Sequence, residues 1–141
     1  MKQLNPYLNF PGTAEEALNF YKSVFGGEIS EMNRFDSMPS SEGMPPLPEE
    51  YKNKVMHATF KADGIMFMVS DGMPGQPVTS GNAMSMSVGL DDPKETEDLF
   101  GKLSEGGKIT MPLQDTFWGA KFGMFTDKFG INWMFNCDLK K

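Results

Sequence analysis

The sequence predicts an α+β fold made of two βαβββ modules, and three observations predict it. Strand-like alternation followed by a helical period occurs twice, at residues 4–25 and again at 83–103. Each helical run stops at a glycine pair, Gly26-Gly27 and Gly106-Gly107. Aligning those pairs sets Gly-Gly-Glu-Ile-Ser (26–30) on Gly-Gly-Lys-Ile-Thr (106–110), Phe20 on Phe100 and Phe10 on Leu90. A chain of 141 residues suits one such duplicated domain, with module one at about 1–72 and module two at about 82–137.

In the first strand, Leu4, Pro6, Leu8 and Phe10 alternate with Asn5, Tyr7 and Asn9, and Pro6 marks an edge or an end of pairing. Thr13 is the expected N-cap of a helix in which Ala14, Ala17, Leu18, Tyr21 and Phe25 form the apolar stripe. Glu15 and Glu16 complement its positive end. In module two, Met84, Met86, Val88 and Leu90 alternate with Ser85, Ser87 and Gly89. Asp91-Asp92-Pro93 then opens a helix that buries Thr96, Leu99, Phe100 and Leu103. The stretch 56–70, MHATFKADGIMFMVS, reads as two strands joined by a turn at Asp63-Gly64, and 122–136 repeats the plan around Asp127 to Gly130.

From Gly27 to Gly64 there are 37 positions, but only 23 from Gly107 to Gly130. The surplus of 14 falls in 36–52, DSMPSSEGMPPLPEEYK, whose four prolines predict a surface loop or flap.

The net charge of −6, with 13 scattered Lys and Arg, argues against a nucleic-acid partner. No apolar run long enough for a membrane span or a signal-peptide core is present. A single cysteine, Cys137, allows no internal disulfide and suits a reducing compartment, so a cytoplasmic location is expected. Thirteen methionines supply flexible, polarizable side chains for the core or for an adaptable binding surface.

The phrases YLNFPGTAEEALNFYKSVFGGE, VMHATFKADGIMFMVSD and DTFWGAKFGMFTDKFGINWMFN carry the patterns FYxxxFGG and WGxxFGxxxDxFGxxW. With the duplicated plan, they make the chain resemble the vicinal oxygen chelate superfamily, which includes glyoxalase I, extradiol dioxygenases and the fosfomycin and bleomycin resistance proteins. It is most similar to the PhnB-like branch, often labelled 3-demethylubiquinone-9 3-methyltransferase. The glycine-rich strand-to-helix turn expected of an S-adenosylmethionine methyltransferase is not in the sequence.

The resemblance implies a homodimer and a cleft between the modules that takes a small-molecule ligand. It also implies four metal-binding positions, one on the first and one on the last strand of each module. These fall on Met68 and Met134, and near Asn5 or Tyr7 and Ser85 or Ser87. Thioethers suit cuprous copper rather than zinc, nickel, iron or manganese, so no metal and no cofactor are expected.

The expected cleft lining comprises Tyr7, Asn9, Met68, Ser85, Ser87, Asn132, Met134 and Asn136, with Asn5 and Met66 in phase and Trp118 at the mouth beside Phe117. Ile131, Trp133 and Phe135 should then face the core. His57, the one histidine, is the candidate catalytic residue, and as a general base it would need an orienting partner. The leading expectation is a protein that binds a small amphipathic molecule in a metal-free cleft. The alternatives are a metal-dependent enzyme of glyoxalase or dioxygenase type with a degenerate site, and a drug-sequestering resistance protein.

Overall fold

The computed structural model describes residues 2–37, 47–72, 77–79 and 81–139. The chain divides into two compact units, Met1–Val78 and Thr79–Lys141. Unit one contains β1 (Tyr7–Asn9), α1 (Ala14–Phe25), β2 (Glu28–Arg34), β3 (Val55–Ala62) and β4 (Ile65–Ser70). Unit two contains β5 (Met86–Leu90), α2 (Pro93–Ser104), β6 (Lys108–Asp115), β7 (Ala120–Thr126) and β8 (Asn132–Asp138). Each unit is thus a βαβββ module, and the two sheets have the same order, β1-β4-β3-β2 and β5-β8-β7-β6. In each, the first strand pairs parallel with the last, and the other pairs are antiparallel. Among the described residues, no helix is long and apolar enough to cross a membrane.

Each helix covers one face of its own sheet. Ala14, Ala17, Leu18 and Tyr21 are buried on α1, and Tyr21 meets Phe67 edge-on at 5.7 Å. On α2, the Phe100 ring meets Phe125 at 4.9 Å and Phe135 at 5.7 Å, both edge-on. Strict alternation along β8 puts Trp133, Phe135 and Cys137 in this core. Gly123 is required beneath Phe100, because a Cβ there would come within 2.7 Å of the ring. The glycine pairs do more than end the helices. A Cβ on Gly27 would collide with the Lys61 carbonyl, and one on Gly107 with the Thr126 carbonyl. In both units, therefore, β2 or β6 can approach its neighbour only through a residue without a side chain.

The structure corrects several boundaries. The first strand is Tyr7–Asn9 rather than 4–10, since Leu4 is 99% exposed and Pro6 contributes only a carbonyl, which accepts from the Met68 amide at 3.0 Å. The fifth begins at Met86 rather than 83, leaving Met84 82% exposed instead of in the core phase. Leu99 and Ile131 are half-buried rather than fully buried. Thr13 is the N-cap residue but makes no side-chain cap bond. The Asp71 carboxylate, at the end of β4, supplies that bond instead, accepting from the Ala14 amide at 2.8 Å. Of the proline-rich stretch, the flanks form single 3-10 turns at Phe35–Ser37 and Glu49–Tyr51, while 38–46 lie outside the described residues.

Two buried carboxylates organise the units. Asp71 Oδ1 takes the Ala14 amide and Oδ2 the Val55 amide, each at 2.8 Å, so one side chain ties α1, β3 and β4 together. Its carbonyl accepts from the Tyr51 hydroxyl, whose pKa burial pushes up. In unit two, Asp127 Oδ1 accepts from the amides of Phe129 (2.8 Å) and Ile131 (3.1 Å), and Oδ2 from Trp133 Nε1 (2.8 Å). The β7–β8 turn and the largest core side chain are therefore held by one residue. At the surface, Arg34 grips Glu15 in a bidentate pair, 2.9 and 2.8 Å, linking β2 to α1.

Asp127→Asn places an amide N–H against the Trp133 N–H or against the turn amides. It should lower unfolding free energy by about 1–3 kcal/mol, measured by urea titration followed at Trp133. The Arg34 hydrogen bonds hold the Glu15 carboxyl below its ordinary pKa of 4.5. Because the folded value is the lower one, this contribution is fully present above pH 4.5 and is lost as pH falls through the folded value. Glu15→Gln should remove less than about 1 kcal/mol of acid-sensitive stability, since the pair is partly exposed, and the gap from wild type should close in acid and in high salt.

Candidate functional site

The faces turned away from the helices carry the candidate chemistry, and the strand register defines them row by row. In unit two, Ser87 lies beside Met134, Met134 opposite Met124, and Met124 opposite Met111. One step along, Gly89 lies beside Asn136, Asn136 opposite Phe122, and Phe122 opposite Gln114. A row of three thioethers thus runs beside a row of amides and one aromatic ring. Met124, Met134, Phe122 and Asn136 are all half-buried, unlike the sealed residues of the helix-facing side.

Trp118 extends this face. The residue is 48% exposed, and its ring centroid lies 5.9 Å from that of Phe122, with an interplanar angle of 66°. The turn that projects it is built by Thr116, whose amide donates to the Ala120 carbonyl and whose Oγ1 accepts from the Ala120 amide at 3.2 Å. Gly119 completes the turn at φ 86°, a conformation that favours glycine. Phe117 stands edge-on to Trp118 at 5.1 Å and is 97% exposed, so it does not cap the core. Lys121 bridges to Asp115 at 3.1 Å, a hydrogen bond that raises its pKa.

In unit one the equivalent row is Tyr7 beside Met68, Met68 opposite Thr59, and Thr59 opposite Ser30. Asn9 lies beside Ser70, and Asn33 opposite His57. Met68 and Met134 therefore occupy corresponding places in the two units. Tyr7 Oη lies 3.2 Å from His57 Nδ1, which gives the histidine a phenol as its orienting partner.

Not every expected residue is available to a ligand in the same way. Asn132 donates through Nδ2 to the carbonyls of Gly81 (2.6 Å) and Met84 (3.0 Å) and accepts from Thr126 Oγ1 (2.8 Å). Its amide secures the approach to β5. Ser85 sits on that approach, before β5 begins, and is exposed. Met124, Met111, Phe122 and Gln114 were not expected here. Alternation in FGMFT could have revealed Phe122 and Met124. Met111 could not have been found that way, because register shifts between Ile109 and Gln114 break the parity of β6.

The donor set at the four superfamily metal positions can be tested directly. Register selects Tyr7 as the partner of Met68 and Ser87 as the partner of Met134. Two thioethers, a phenol and an alcohol do not fit zinc, nickel, iron or manganese, which take imidazole, carboxylate or thiolate. Among the described residues, no three His, Cys, Asp or Glu side chains are grouped to hold a metal ion.

The family described as 3-demethylubiquinone-9 3-methyltransferase matches residues 2–135. Protein YjdN of Escherichia coli K12 is 34% identical over 139 residues, 94% of this chain and 93% of YjdN. The crystal structure of protein PA1353 from Pseudomonas aeruginosa matches with a TM-score of 0.85 at 40% identity, covering 98% of each chain. The PhnB protein of Bacillus cereus matches with a TM-score of 0.77 at 34% identity, covering 96% of this chain and 99% of that one. Fosfomycin resistance protein FosX of Listeria monocytogenes shares the fold alone, with a TM-score of 0.66 at 9% identity over 98% and 94% of the two chains. The fold, the glycine and aromatic patterns and these matches agree: the chain belongs to the PhnB-like family, described as 3-demethylubiquinone-9 3-methyltransferase.

Proposed function

We propose that the protein binds a small amphipathic molecule without a metal, as a cytoplasmic homodimer. The observation that carries this reading is the open face of the second unit, where Met111, Met124 and Met134 run in one cross-strand row beside Phe122 and Trp118. Thioethers and aromatic rings give a deformable apolar floor, and Ser87, Asn136 and Gln114 border it with neutral hydrogen-bonding groups. No carboxylate or ammonium group belongs to these two rows, so the lining favours a largely uncharged contact surface. Tyr7, Asn9 and Met68 supply the corresponding lining in the first unit.

Methyl transfer is not part of the proposal, because the sequence has no glycine-rich turn of the kind that cradles S-adenosylmethionine. Half-exposed Ile109 and exposed Phe117 support association of copies. A single buried cysteine suits a reducing compartment.

The probe 1-anilinonaphthalene-8-sulfonate tests the reading with the native protein. It should bind at one site per unit two and quench Trp118. Trp118→Ala should weaken it about tenfold, and Met134→Lys should abolish it with the thermal unfolding transition retained. Equal binding by all three proteins, or stoichiometric zinc, nickel, iron or manganese that survives dialysis, would contradict the proposal.

A further inference from the structure

Gly89 and Asn136 stand side by side on the open face of the second unit, and the fold explains neither. Gly27 and Gly107 are barred from carrying a Cβ by a carbonyl of the neighbouring strand, and Gly123 by the Phe100 ring. Gly89 has no such neighbour, since a Cβ built there would meet nothing within 4 Å. Its φ is not positive either. A glycine inside a strand weakens it, and where neither crowding nor backbone conformation requires it, close approach of a ligand is a recurring reason for its presence.

Asn136 is the complementary case. It is half-buried on β8, between β5 and β7, yet its side-chain amide has no hydrogen-bond partner among the described residues. Asparagine is unfavourable in strands, and Asn132, on the same face, is held there by three hydrogen bonds. In unit one the corresponding pair is Asn9 beside Ser70. Ser70 is buried, and its Oγ accepts from the Gly72 amide at 3.0 Å. Unit two therefore replaces a sealed, bonded alcohol with an unpartnered amide, and replaces the side chain beside it with open space.

The oxygen of a carboxamide and the N–H cis to it lie in one plane on one edge, so a single side chain offers an acceptor and a donor side by side. That edge is matched by the N–H and C=O of a cis amide, which pair with it through two parallel hydrogen bonds. No charged side chain belongs to the row of Gly89, Asn136, Phe122 and Gln114, so nothing there favours a carboxylate or an ammonium group over a neutral one. We infer that Asn136, in the space left open by Gly89, recognises the cis-amide edge of a lactam or similar heterocycle whose apolar body lies against Phe122. This rests on the reading of the unit-two face as a ligand surface and assigns the ligand's polar end a chemical class.

The probes are 2-quinolone, which has the cis-amide edge on an aromatic body, and N-methyl-2-quinolone, which keeps the carbonyl and the body but lacks the donor. In 15N-labelled protein the side-chain amide signals of Asn136, identified by their loss in Asn136→Leu, should shift saturably with 2-quinolone. The N-methyl compound should bind about tenfold more weakly or worse, although a purely apolar face would favour it. In Asn136→Leu, calorimetry should show that this preference has disappeared. Gly89→Val fills the open space and should weaken 2-quinolone about tenfold, while thermal unfolding stays where it was or moves upward, because valine suits a strand better than glycine.

Equal binding of the two quinolones by the native protein, undiminished 2-quinolone binding in Gly89→Val, or a lower unfolding temperature in that variant would overturn the inference. If the native protein still binds 1-anilinonaphthalene-8-sulfonate in that event, the apolar-face reading stands and only the Asn136 assignment falls. Binding of neither kind of probe would contradict both.

Discussion

Each unit is built around one buried carboxylate. Asp71 and Asp127 are 2% and 3% exposed, and each accepts hydrogen bonds from groups on more than one element or turn of its unit. Asp71 stands at the N-terminus of α1, where free amides and the helix dipole favour negative charge, and it simultaneously holds the start of β3. Asp127 fixes the turn that aims β8, and through Trp133 it fixes how that strand meets the core. Because side chains alternate across a strand, a face defined on the buried side defines the open side as well. Moving Trp133 or Phe135 out of register would exchange them for Asn132, Met134 and Asn136. The candidate binding surface is thus a consequence of the core.

That coupling explains why so much of the fold was legible. The two glycine pairs, the turn glycines Gly64 and Gly130, and the methionines four residues beyond them line up in sequence as they do in register. Steric exclusion accounts for the second glycine of each pair, which sits against a carbonyl of the neighbouring strand. Trp133 and Phe135 were legible as core because β8 alternates without interruption.

What was not legible depends on contacts distant in sequence or on broken parity. The residue that caps α1 lies 57 positions from the amide it accepts, while the nearby Thr13 makes no such bond. Met111 and Asn33 reach the open faces only through register shifts in β6 and β2. Asn132 read as a ligand contact by phase alone, yet its amide holds Gly81, Met84 and Thr126. Periodicity identified the face on which a side chain sits, while hydrogen-bond geometry determines whether its polar atoms remain available there. Divergence between the copies follows the same rule, since exchange of His57 for Phe122 and of Tyr7 for Ser87 changes a face without disturbing either core.

The central claim is that the methionine row of unit two is a contact surface for an amphipathic molecule rather than surplus packing. Methyl-13C methionine NMR during titration with 1-anilinonaphthalene-8-sulfonate tests it most directly, with each signal assigned by Met→Leu substitution. The account predicts that the methyl signals of Met111, Met124 and Met134 move together and saturate with one affinity. Saturable binding that moves other methionine methyls and leaves these three in place would contradict it.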